Sequence, residues 1–114
     1  MVVAPQPLII TKVLSPALRS RLILTANEGE PRLGYTAEGA VDPRGSVTVI
    51  DAATLAAKTV DFTAFDSADA RQTLVAEGIV LKKDTLPSVD LEPEYIACDN
   101  DTAYITCQEA NAIA

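Results

Sequence analysis

The fold is decided by Leu24-Thr-Ala-Asn-Glu-Gly29, because a near copy returns as Ile105-Thr-Cys-Gln-Glu-Ala110. Each copy runs apolar residue, Thr, small residue, carboxamide, Glu, small residue. Each then leads to a further strand, Ser46 to Asp51 after a long loop in the first copy and Asn111 to Ala114 directly in the second. A short apolar run that closes on a polar corner and passes into another strand, twice, is the signature of a repeated β-sheet unit.

Leu22 to Thr25 forms a short β-rich run that stops at Asn27, Glu28 and Gly29. The loop beyond carries Gly29, Pro31, Gly34, Gly39, Pro43 and Gly45, with Asp42 to Gly45 as a turn. Ser46 to Asp51, reading SVTVID, is the cleanest strand, and Lys58 to Thr63 is its antiparallel neighbour. Before the first copy, Leu8, Ile9, Ile10, Val13 and Leu14 allow one strand, ended by Ser15 and Pro16.

One short helix is expected, capped by Asp66 or Ser67, with Asp69 in its first turn, Leu74 and Val75 on the buried face and Gly78 as the stop. Ile79 to Leu81 extends away from it. Asp84 to Pro93 then reads as an acidic loop.

The final segment is a hairpin turning at Asp99, Asn100 and Asp101. Pairing Cys98 with Ala103 sets Ile96 opposite Ile105, puts Cys107 near Glu94, and leaves Tyr95, Ala97, Tyr104 and Thr106 on the other face. Both faces are then largely apolar, so the hairpin needs protein above and below it, as in stacked propeller blades. The same register keeps the two cysteines apart and argues against a disulfide between them. The expected architecture is all-β: a partial β-propeller of about one and a half antiparallel blades, too few to close a ring, with one inserted short helix.

The chain has 114 residues, 48% of them hydrophobic, enough for one small domain that buries roughly 65% of its unfolded surface. With no His, Ser-His-Asp and Cys-His catalysis and imidazole metal sites are excluded within this chain. The net charge of -7 is concentrated late: nine acidic and nine basic residues precede Asp84, while seven acidic and no basic residues occur from Asp84 onward. Such a distribution offers no basic stripe to a nucleic acid or an anionic membrane surface. No apolar run is long enough to span a bilayer. The N-terminal segment, 1–21, is atypical, and Pro5, Pro7, Lys12 and Pro16 break what a signal peptide would keep unbroken.

Glu28, Glu92, Glu94 and Glu109 stand at strand ends, with Glu30 near the first corner and Asn27, Gln108 and Asn111 adding carbonyl oxygens. Hard oxygen donors of this kind suit calcium or another divalent cation. The competing reading makes Glu28 and Glu109 corner residues that satisfy backbone donors, and Glu92 and Glu94 an exposed approach to Tyr95. Asp99 to Asp101 lacks the later Gly and Glu of a calcium loop and reads as a turn. Thr25 and Thr106 have no base beside them, and no phosphate loop is present.

LTANEGEPR from Leu24, GSVTVID from Gly45, VDFTAFD from Val60, SVDLEPEYIA from Ser88 and QEANAIA from Gln108 together resemble the choice-of-anchor I proteins. The likeness covers about residues 22–114, in the family's order, and the earlier segment departs from it. It implies a lactonase-like β-propeller in a large, mostly bacterial, secreted or surface-anchored protein, often labelled alkaline phosphatase or found beside 5'-nucleotidase domains. On that basis the chain is expected to be a noncatalytic propeller segment serving as a binding or structural scaffold, extracellular or at the cell surface. The alternative is a piece of a metal-dependent phosphoesterase. Expected partners are the remaining blades of a longer parent protein, with self-association through open sheet edges.

Overall fold

The computed structural model describes residues 22–29, 42–99 and 102–114, and the backbone of residues 9–12. The atypical start apart from 9–12, Glu30 and most of the long loop, and the turn residues Asn100 and Asp101 lie outside the described residues.

Two antiparallel sheets make up the fold. The first holds β1 (Ile9–Lys12), β2 (Leu22–Asn27), β3 (Ser46–Asp51) and β4 (Ala57–Asp61) in sequential order. The second holds β5 (Tyr95–Asp99), β6 (Thr102–Cys107) and β7 (Ala112–Ile113). A complete four-stranded meander followed by three strands of another is the all-β, propeller-like fragment the repeat predicts.

The repeat has a clear structural meaning. Its copies occupy β2 and β6, each the second strand of its sheet, and each pairs with the third strand. Leu24 pairs with Val49 and Ala26 with Val47. In the second sheet Cys107 pairs with Ala112, and Ile105 and Ala114 exchange both backbone hydrogen bonds at 2.9 Å.

The hairpin register is the expected one, with Ile96 opposite Ile105 and Cys98 opposite Ala103. Period-two alternation therefore gathers Leu24, Ala26 and Val47 on one face of the first sheet and Ile96 and Ile105 on one face of the second. These five residues form a single buried cluster, so the sheets meet face to face through their apolar sides. The reverse face of the second sheet is open: Tyr95 is 57% exposed, Tyr104 49% and Ile113 70%.

Between the sheets runs an excursion from Phe62 to Glu94. It holds a 3-10 turn (Thr63–Phe65), helix α1 (Ala68–Ala76) and a second short helix, α2 (Pro87–Asp90). Ser67 caps α1 by accepting from the Ala70 N–H at 3.2 Å, Asp69 lies in the first turn, and Gly78 at φ +93° ends it. Leu74 packs inward as expected, but Val75 is exposed, because a nine-residue surface helix buries only a narrow stripe.

The acidic-loop reading of Asp84 to Pro93 requires correction. Pro87 supplies the preset φ of a first helical position, and Leu86 before it is extended, so Pro87 to Asp90 turns into α2. Pro87, Ser88, Asp90, Leu91, Glu92 and Pro93 are all buried. A second cluster of Phe62, Leu91, Cys107 and Ala110, flanked by Leu74, Ile79, Leu81 and Ala112, seats the excursion on the β6–β7 corner.

Candidate functional site

The carboxamide of each repeat copy pins a neighbouring strand. Asn27 Nδ2 donates to Ser46 Oγ at 3.1 Å and Thr48 Oγ1 at 2.9 Å, while Asn27 Oδ1 accepts from the Thr25 hydroxyl at 3.2 Å. In the second copy Gln108 Nε2 donates to the Glu94 carboxylate. The Glu94 N–H meanwhile donates to the Thr106 carbonyl at 2.9 Å, continuing the β5–β6 ladder by one residue.

The second corner also grips the excursion. Asn111, at φ +52°, donates from Nδ2 to the Gly78 carbonyl at 3.3 Å, and the Val80 N–H donates to the Ala110 carbonyl at 2.9 Å. Near this corner the fold buries two carboxylates, Asp90 and Glu92.

Lys82 is the cation of that region. Its ammonium stands 3.3 Å from Asp90 Oδ1 and 3.3 Å from Glu92 Oε1, and its backbone N–H donates to Asp90 Oδ2. The Lys82 carbonyl accepts from Arg71 Nη2 at 2.7 Å, and Arg71 Nη1 reaches the Thr85 carbonyl at 2.8 Å. Helix α1, the return loop, α2 and the approach to β5 are thereby braced together. Both carboxylates are almost wholly buried, whereas the lysine side chain is half-exposed.

Burial is the main force raising the Glu92 carboxyl above its ordinary range; Lys82 opposes it, and the charges of Glu109 and Asp42 add to it. On Lys82, burial pulls the ammonium down, but hydrogen bonding and charge from Asp90 and Glu92 outweigh it and hold the group above the usual lysine range. The buried Cys107 thiol is pushed up to about 11, first by burial and then by Glu94 and Glu92. It is inert at neutral pH, and both cysteines are free thiols.

A second polar knot lies beside Gly45, just before β3. Ser88, fully buried, donates its hydroxyl to Asp66 Oδ2 at 2.8 Å and its N–H to Asp66 Oδ1 at 2.9 Å, while its carbonyl accepts from the Gly45 N–H at 3.1 Å. Asp42 to Gly45 is therefore no free turn, since Gly45 is buried against Leu91 and Pro93.

Of the four glutamates singled out from sequence, Glu92 lies inside and pairs with Lys82. Glu94 is half-buried and bound by Gln108, and Glu109 is exposed in the corner with its charge felt at Glu92. Glu28 is half-buried at the end of β2, on the other copy's corner. Glu92 is thus not the exposed residue of the sequence reading: it is 6% exposed, lies between the buried Leu91 and Pro93, and meets the Lys82 ammonium. Among the described residues no three acidic or cysteine side chains gather within reach of one metal ion.

Sequence reasoning missed Lys82, Asp90 and Ser88, and read Asp66 only as a helix cap. Pro87 and Pro93 framing Ser88, Asp90 and Glu92 at every second position was the available signal, since polar residues fenced between prolines need partners once buried.

The chain matches the model of the choice-of-anchor I domain over residues 17–114. No curated protein and no solved structure matches it.

Proposed function

Because the chain belongs to the choice-of-anchor I domain family, whose domains are surface-associated in bacteria, we propose that it is a noncatalytic propeller segment acting as a structural and binding scaffold. The observation that carries this reading is the open face of the second sheet. Tyr95, Ala97, Tyr104 and Ile113 share one side of β5, β6 and β7 and face solvent, while the other side of the same strands is core. A two-sided apolar sheet gains by being covered, at roughly 25 cal/mol per Å² of apolar area removed from water. Its natural cover is a further sheet of a longer parent. Asp90 and Glu92 are paired with Lys82, and Ser88 with Asp66, which supports a framework role for these buried groups.

The test is a double variant, Tyr104→Ser with Ile113→Ser, followed by light scattering and thermal melting. Self-association of the parent chain that disappears in the variant, with an unchanged Tm, supports a face built to be covered. A large fall in Tm would mean that the face is already packed, and turnover of a phosphomonoester by the purified chain would overturn the noncatalytic reading.

A further inference from the structure

We draw no further inference here: the strongest candidate, the side-chain cluster of Asp42, Glu92 and Glu109 near Lys82, is a set of acidic groups whose one buried unpartnered atom, Asp42 Oδ1, belongs to a half-buried residue, and among the described residues no three such groups lie within reach of one ion.

Discussion

Gly45 lies so close to Leu91 that a β-carbon on the glycine would overlap the leucine carbonyl oxygen and come within 2.7 Å of Pro93 Cδ. Backbone meets backbone here, and neither can swing aside as a flexible side chain would. Strand β3 and the buried segment before β5 therefore join at a point that tolerates no side chain at all.

Gly45→Ala should accordingly destabilise the fold by about 3 kcal/mol or more, in the range of severe overpacking. Gly78→Ala is the control: at φ +93° nothing lies within 4 Å of the added carbon, so only the left-handed penalty of about 1–2 kcal/mol remains. Urea unfolding of the two variants checks the order. Equal losses would mean that the Gly45 contact relaxes at little cost.

What the sequence made legible follows from what repeats and alternates. Leu24 and Ile105, matched as equivalent from residue types alone, fall in one buried cluster, and the Cys98–Ala103 pairing is the one observed. Period-two patterns and a short hairpin turn specify register locally, so they can be read without knowing the rest of the fold. Glu92 and Lys82 are the opposite case. Ten residues and helix α2 separate them, and nothing local says that the carboxylate turns inward to meet the ammonium. The burial of Ser88 was hidden for the same reason, because its partner Asp66 lies beyond the intervening α1. Acidic composition suggested a solvated loop, and long-range pairing overrode it.

Lys82→Met should cost about 2–3 kcal/mol, the low end for breaking a buried pair because the ammonium is half-exposed. It leaves Asp90 and Glu92 buried without their cation. Glu92→Gln in the Lys82→Met background should recover part of the loss, since it removes one of the two stranded charges. The pH dependence has a defined sign. A carboxyl raised in the folded state favours folding when protonated, so its contribution is full below the unfolded value of 4.5 and is lost as pH rises through the folded value. Without Lys82 that loss grows, and the stability gap between variant and parent should narrow on acidification toward pH 4. Denaturation curves from pH 4 to 8 measure it, and a pH-independent gap would remove Glu92 from the explanation.

Calcium should leave the melting temperature unchanged at millimolar concentration. Glu92 is engaged by Lys82 and Glu94 by Gln108, so an ion would first have to displace both partners. A site filled to about 100 times its dissociation constant would add about 2.7 kcal/mol to stability, well within calorimetric reach. A rise of that size would assign the corner glutamates to an ion and overturn their reading as internal pairs.

Cys107 offers a test at alkaline pH. Its thiol is buried beside Glu92 and Glu94 and raised from 9.0 to about 11, so the folded chain keeps the proton where the unfolded chain gives it up. Stability from this group is complete below pH 9 and drains away between pH 9 and 11, by about 1.4 kcal/mol per pH unit where only the unfolded thiol ionises. Cys107→Ala abolishes that contribution. The substitution should cost stability at pH 8, from the small cavity beside Phe62 and Ala110, and the deficit should shrink steadily toward pH 11. Parallel melting curves across that range would show instead that the thiol reaches solvent before the fold opens.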